Sequence, residues 1–148
     1  MTRANTRVNP SCIACGANNA RGLKISFLIL ATGVAADWVP TQDWESFAGT
    51  IHGGILTTAL DEAMSRAIIA RGWDALTVDL RVRFRGRVSP GDSLHIRGWV
   101  LEKCKRKIRA EAVLTTTAGE ERAHAWATFL ATSAKEAKGE YENSSSND

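Results

Sequence analysis

The pattern of hydrophobic and polar residues begins with two apolar, β-prone runs at 24–30 (KISFLIL) and 34–39 (VAADWV). Thr32 and Gly33 separate the two runs, and Pro40 ends the second one. Short apolar runs bounded by turn residues are typical of strands. This part of the sequence therefore predicts two short strands joined by a tight turn.

From Gly53 to about Arg71 the apolar pattern becomes helical, because apolar residues recur in adjacent pairs one helical turn apart. The resulting stripe consists of Ile55, Leu56, Ala59, Leu60, Ala63, Met64, Ala67 and Ile68. Its alanines predict a helix that lies close against its partner surface. Gly72 suits the C-terminal end of this helix. Glu62 and Arg66 are expected to pair on its outer side.

After the helix, apolar and polar residues alternate in the run 76–88. One face is expected to carry Leu76, Val78, Leu80, Val82 and Phe84. The other is expected to carry Thr77, Asp79, Arg81, Arg83, Arg85 and Arg87. Three further strands are predicted at 93–102, 107–117 and 122–131. The order β-β-α-β-β-β-β predicts an α+β domain in which an antiparallel sheet covers one long helix.

The length of 148 residues predicts a single domain. We expect it to span 1–133, with an irregular N-terminal arm at 1–22 and a polar, flexible tail at 134–148. No apolar run has the roughly 20 residues of a membrane span, and the N-terminus has no apolar signal region. We therefore expect a cytoplasmic protein without a membrane partner.

The charge and the cysteines argue against two further classes of function. The net charge is +3 and the pI about 9.0, but no nucleic-acid recognition motif accompanies them, so an anionic small molecule fits at least as well. Cys12 and Cys15 form a C-x-x-C pair, and Cys104 stands alone. A zinc site normally needs four ligands, and no second cysteine pair or histidine pair follows. We expect a tight turn and no metal.

The segment before the helix and the first turns of the helix hold the candidate chemistry. Gly53 and Gly54 permit close approach of a ligand, and the free N–H groups of a helix start stabilise a developing oxyanion. Asp61 follows His52 by nine positions and lies at the margin of the apolar stripe. Partial burial there raises the basicity of a carboxylate. These residues alone leave two alternatives open, a catalytic Asp61 or a merely solvated one.

The sequence resembles the hotdog-fold thioesterase superfamily, and within it the branch of phenylacetyl-CoA thioesterases and human acyl-CoA thioesterases. The resemblance covers about 12–131 and rests on three stretches, CIACGANNARGLKISF, HGGILTTALDEAM and LTVDLRVRFRGRVSPGDSL. It implies a long helix wrapped by a curved antiparallel sheet. It further implies a homodimer in which two sheets join edge to edge, with the acyl chain between subunits. A strand as long as 76–88 would leave an unpaired edge in a monomer, so we predict that the dimer joins through this strand and pairs again into a homotetramer.

The resemblance also implies roles for particular residues. Asp61 matches the carboxylate that acts as general base or nucleophile, and Gly53 matches the glycine whose N–H polarises the thioester carbonyl. His52 matches a histidine that shapes the loop. Thr77 matches a hydroxyl residue that belongs to the neighbouring subunit and helps to hold the attacking water. Ser46 occupies the position of an Asn or Gln in relatives, and its shorter side chain reaches less far.

The same resemblance leads us to expect that several residues contact the substrate. Those close in sequence to His52, Gly53 and Asp61 are Gly54, Phe47, Trp44 and Met64. Basic residues expected near the phosphates of CoA include Arg81, Arg83, Arg85 and Arg106. We therefore expect hydrolysis of an aromatic or medium-chain acyl-CoA, with no cofactor. The alternatives are hydrolysis of a thioester on acyl-carrier protein and non-catalytic sensing of acyl-CoA.

Overall fold

The computed structural model describes residues 9–132; the predicted tail at 134–148 lies outside them, as does the beginning of the predicted arm. The strands and the helix follow in the predicted order. They are β1 Leu28–Leu30, β2 Gly33–Trp38, α1 Gly53–Ala70, β3 Ala75–Phe84, β4 Leu94–Cys104, β5 Lys107–Thr116 and β6 Glu121–Ala131. A short 3-10 turn, Gln42–Trp44, lies between β2 and α1. β1 and β3 are shorter than the apolar runs that predicted them.

All six strands of the described chain form one antiparallel sheet in the order β1-β2-β4-β5-β6-β3. Within residues 9–132, β3 pairs only with β6 and therefore forms one edge of the sheet, although it precedes β4 in sequence. The chain crosses from β2 to β3 through α1, which packs against the sheet. The predicted architecture, a sheet covering one long helix, is confirmed.

The close packing of α1 on the sheet follows from its small residues. Seven of the eight stripe residues are buried, and Ile55 is half-buried. A Cβ at Gly98 in β4 would lie only 2.5 Å from the carbonyl oxygen of Ala63, so glycine is required where the helix crosses this strand. The predicted close approach is thus confirmed. Among the described residues, no helix has the length and apolar character needed to cross a membrane.

The segment before β1 is extended, but its backbone bonds to the N-terminal arm instead of to a strand. The N–H of Leu23 donates to the carbonyl of Ile13 at 2.7 Å, and that of Ile25 donates to the carbonyl of Ala14 at 3.0 Å. Ile25 and Ala14 are both buried. Residues 9–27 therefore form an ordered layer on the core, although they contain no helix or strand.

A β-bulge interrupts β3 near its start. Thr77 pairs with Phe129 of β6, but the next pair joins Asp79 to Thr128, so Val78 has no partner in β6. One extra residue in a strand reverses the alternation of its side chains. The residues before the bulge therefore face opposite to the directions that simple alternation predicts.

The bulge corrects the predicted faces of β3. Leu76 and Val78 are 62% and 55% exposed whereas Leu80 is half-buried, so the prediction that all three share one face is wrong. Thr77 was expected on the outer face; it instead pairs with a buried phenylalanine and points toward α1. Because of the bulge, the hydroxyl of Thr77 faces α1, and the apolar side chains of Leu76 and Val78 face away from it.

Candidate active site

The carboxyl group of Asp61 is held by a hydroxyl from the sheet. Asp61 lies half-buried in the middle of α1, and Oγ1 of Thr77 donates a 2.8 Å hydrogen bond to its Oδ1. Burial raises the pKa of Asp61, and the hydrogen bond from Thr77 lowers it; burial dominates, so the pKa lies above its ordinary value. Both residues belong to one chain, so this contact forms without a second subunit, and the expected role of Thr77 in holding water stays a prediction.

The start of α1 presents one free backbone donor. The Nδ1 atom of His52, the N-cap residue, accepts a 2.8 Å hydrogen bond from the N–H of Gly54. Within residues 9–132, no acceptor bonds to the N–H of Gly53. This N–H carries the positive end of the helix dipole and suits a developing oxyanion. The ring of His52 accepts through Nδ1, which is consistent with a loop-shaping role.

Gly53 and Asp61 cannot serve the same carbonyl group within one chain. Eight residues separate them, and a rise of 1.5 Å per residue places their backbones about 12 Å apart. The free N–H of Gly53 also points away from Asp61, beyond the N-terminal end of the helix. That both residues act on one thioester stays a prediction, and within one chain this distance does not bring their groups together.

The loop before α1 holds three predicted site residues in different surroundings. Ser46 bonds within the loop, through its N–H and its hydroxyl, to the carbonyl of Thr50 at 2.8 and 3.4 Å. Trp44 is half-buried, with its ring centroid 6.1 Å from that of Trp38. Phe47 is 83% exposed. Of the three, Phe47 offers the largest free apolar surface to a ligand.

Met64 belongs to the core. It lies in α1 among the residues that pack on the sheet, and its exposed fraction is 0%. The prediction that Met64 contacts the substrate is therefore wrong. The helical periodicity already placed Met64 within the apolar stripe. Although it is only three residues from Asp61, its side chain points into the core, away from the solvent-facing side of that carboxylate.

The basic residues expected near the phosphates of CoA are all exposed: Arg81, Arg83, Arg85 and Arg106. Arg85 pairs with Glu121, with 3.0 Å between Nε and Oε1. Arg106 donates from Nε to the carbonyl of Ala131 at 2.9 Å. The guanidinium of Arg81 lies 5.4 Å from the ring centroid of Trp126, beside a shallow crevice of about 180 Å³. Protein groups thus already engage three of these side chains.

Two thiols and a carboxylate form a second cluster on another face of α1, which the helical pattern predicted to be exposed to solvent. Cys12 Sγ lies 3.9 Å from Oε2 of Glu62, and Cys15 lies beside both. Burial, and then the hydrogen bond and charge of Glu62, raise the pKa of the Cys15 thiol. Glu62 is half-buried and Arg66 is 5% exposed, so the expectation of a solvent-exposed pair is wrong. The N-terminal arm covers this side of the helix.

Comparison with known proteins supports the same fold. A family model described as Thioesterase superfamily matches residues 48–123, which hold all of α1, β3, β4 and β5. This range also holds Asp61, Thr77 and the helix start. No curated protein matches the chain.

Several solved structures share this architecture. A hypothetical thioesterase from Streptococcus pneumoniae TIGR4, solved with coenzyme A, has a TM-score of 0.69 at 20% identity; the match covers 73% of this chain and 85% of that one. The protein smu.793 from Streptococcus mutans UA159, bound to acetyl CoA, has a TM-score of 0.69 at 22% identity, covering 73% and 88%. Zebrafish thioesterase superfamily member 2 has a TM-score of 0.69 at 23% identity, covering 80% and 92%.

These structural similarities, all below 25% identity, establish the fold alone. The antiparallel sheet wrapped on one long helix is the hotdog fold that the sequence resemblance implied. The family model extends over half of the chain and includes both the helix and the strand that form the Asp61 site. The protein therefore belongs to the thioesterase superfamily.

Proposed function

We propose that this protein hydrolyses acyl-CoA thioesters and that Asp61 is its catalytic carboxylate. The observation that carries the proposal is the half-buried Asp61 carboxyl, fixed by Thr77 through a 2.8 Å hydrogen bond. Its raised pKa makes it a stronger base than a surface aspartate. The two streptococcal structures that contain coenzyme A or acetyl CoA support CoA esters as the substrate class.

The proposed reaction needs only the carboxylate and one electrophilic donor. As a general base, Asp61 takes a proton from water while the water oxygen bonds to the thioester carbon. The tetrahedral intermediate then collapses, the carbon–sulfur bond breaks, and CoA thiolate accepts the proton. As a nucleophile, Asp61 would instead attack the thioester carbon, and the carbon–sulfur bond would break to release CoA thiolate. Water would then hydrolyse the resulting anhydride, which frees the acid and restores Asp61. Both routes yield the free acid and CoA, and both require ionised Asp61.

The oxyanion donor in this proposal is the Gly53 N–H of a second copy. Eight helical residues, about 12 Å, separate the two groups within one chain, so a complete site combines Asp61 and Thr77 of one copy with His52 and Gly53 of another. β3 suits this assembly because it is the free edge of the sheet. A long unpaired edge is normally covered. Pairing of two β3 strands would join two sheets and bury the exposed Leu76 and Val78.

The proposed substrate has an apolar acyl group and an anionic nucleotide end. The resemblance to phenylacetyl-CoA thioesterases favours an aromatic or medium-chain acyl group, and the exposed side chains of Phe47 and Phe84 provide apolar surface near the helix start. Arg83 and Arg81 are the basic residues of β3 without a carboxylate partner in residues 9–132. They are the first candidates for contact with phosphates.

The test is a thiol-release assay with phenylacetyl-CoA, octanoyl-CoA and acetyl-CoA as substrates. We expect release of CoA from at least one of the first two, and its loss in Asp61→Asn. Tight binding of these esters without release would contradict hydrolysis and indicate a sensor. Release only from acyl-carrier protein would leave the chemistry in place but replace CoA as the carrier.

A further inference from the structure

The C-x-x-C segment of the N-terminal arm forms a tight turn that brings its two thiols to one side. The N–H of Gly16 donates to the carbonyl of Cys12 at 2.9 Å, and the N–H of Asn18 donates to that of Pro10 at 2.9 Å. A Cβ at Gly16 would lie 2.4 Å from the carbonyl oxygen of Pro10, so this turn closes only around a glycine. Two cysteines separated by two residues have the spacing of metal-binding turns.

Helix α1 offers a third possible ligand. Glu62 of α1 directs its carboxylate at the turn, with Oε2 3.9 Å from Cys12 Sγ. One ligand atom from each of Cys12, Cys15 and Glu62 lies within 4.8 Å of the other two. All three residues are half-buried, so an ion could enter from solvent and still be shielded. Two cysteines alone are too few for such a site, which is why the sequence favoured a simple turn.

We propose that Cys12, Cys15 and Glu62 bind a thiophilic divalent cation, zinc, and that this ion fastens the N-terminal arm to α1. Two thiolates and one carboxylate suit zinc, whereas magnesium and calcium prefer oxygen ligands only. Three protein ligands leave one position of a tetrahedron for water. Binding displaces the thiol protons into solvent, so the thiols become thiolates as the ion enters.

The proposed ion would link two segments that are distant in sequence. Cys15 belongs to the arm and Glu62 to the middle of α1. The described backbone hydrogen bonds that hold the arm are those from the N–H groups of Leu23 and Ile25, in the segment before β1. A ligand that binds only the folded state stabilises it in proportion to the logarithm of its concentration above Kd. Zinc is therefore expected to raise the melting temperature and to protect the arm from proteolysis.

The test uses the full-length protein, kept reduced, stripped with a chelator, and shown by thiol titration to retain free Cys12, Cys15 and Cys104. Cobalt, added as a spectroscopic substitute for zinc, should give thiolate-to-metal charge-transfer bands and the visible bands of a tetrahedral site. Zinc should then displace one equivalent of cobalt per chain. Protein with intact thiols that binds neither ion in a stoichiometric amount would overturn the proposal.

Single substitutions separate this site from adventitious binding. Cys12→Ser and Cys15→Ser should each abolish the charge-transfer bands of the bound cobalt. Glu62→Gln should retain them but weaken zinc affinity by at least about tenfold, since even indirect partners of a metal site contribute that much. Cys104→Ser is the matched control, because this exposed thiol lies at the end of β4. Equal binding in all four variants would overturn the assignment.

Discussion

Thr77 Oγ1 donates a 2.8 Å hydrogen bond to Oδ1 of Asp61, across the space between β3 and α1. The bond opposes the effect of burial on this carboxyl, because a hydrogen bond to the charged form favours ionisation. It also fixes the orientation of a side chain that would otherwise rotate at the helix surface. The pair therefore sets both the basicity and the direction of the proposed catalytic group.

Removing this hydrogen bond should shift the pH dependence of the reaction. Thr77→Val keeps the shape of the side chain but deletes the donor, so the pKa of Asp61 should rise further. Because the reaction needs ionised Asp61, activity is lost as pH falls through that pKa. The acidic limb of the kcat/KM profile should start above about pH 4, the usual range of an aspartate, and move to higher pH in Thr77→Val.

This pH profile is measured on chelator-treated protein, so that no ion beside Glu62 affects the charge of Asp61. The control is Thr41→Val, which removes an exposed hydroxyl that bonds only weakly to Asp43, at 3.4 Å. It should leave the acidic limb in place. An acidic limb that moves to lower pH in Thr77→Val would contradict the proposed action of the hydrogen bond.

Replacing Asp61 should remove catalysis and preserve binding. General-base catalysis by a positioned side chain contributes about 10²–10⁴-fold, so Asp61→Asn should lower kcat by that factor with KM little changed. Asp37→Asn is the control, since this side chain is 91% exposed and bonds to His95 in β4. It should change kcat by less than roughly twofold. A near-normal kcat for Asp61→Asn would refute the mechanism.

The same substitution should not destabilise the fold at neutral pH. The pKa of Asp61 is higher in the folded state than in the unfolded state. Between these two pKa values the folded state binds more protons, so the free energy of unfolding falls as pH rises through this range. Ionised Asp61 therefore costs stability near pH 7, and Asp61→Asn removes that cost. The melting temperature of Asp61→Asn should equal or exceed the wild-type value at pH 7, and the advantage should vanish below about pH 4. A large loss at pH 7 would show a structural role.

The oxyanion donor can be tested by deleting a single N–H. Gly53→Pro removes it at the first helical position, where proline is tolerated, and His52 already has the extended ψ of 132° that precedes proline. Loss of one oxyanion donor costs about 10²–10³-fold in kcat. Gly53→Ala is the matched control, because it adds a Cβ 3.3 Å from the ring of Phe84 but keeps the N–H. Equal losses would argue for packing instead of donation.

A mixed dimer of two inactive variants should regain activity. If Asp61 of one copy works with Gly53 of the other, a dimer of Asp61→Asn with Gly53→Pro has one intact site and one doubly defective site. Tandem affinity purification of the co-expressed pair should then yield about half of the wild-type activity per dimer. Activity no higher than that of either variant would contradict the composite site. Light scattering that shows only monomers at micromolar concentration would exclude the composite site.

The hydrophobic pattern determined the order of the elements and the buried face of α1, because both depend on local periodicity. The alanines of the helix, together with Gly98, made its close packing on the sheet predictable. The motif also identified Asp61 and Gly53 as candidates. Helical geometry adds that these two groups lie about 12 Å apart within one chain, because eight residues of rise separate them.

Only the tertiary structure decided which groups surround Asp61 and Glu62. The bulge after Thr77 has no signature in the alternating pattern of β3, yet it turns that hydroxyl toward Asp61 and exposes Val78. The arm covers the side of α1 that helical periodicity alone marks as free, and it brings Cys12 to Glu62. Both outcomes depend on contacts between segments distant in sequence, which periodicity within a single element does not encode.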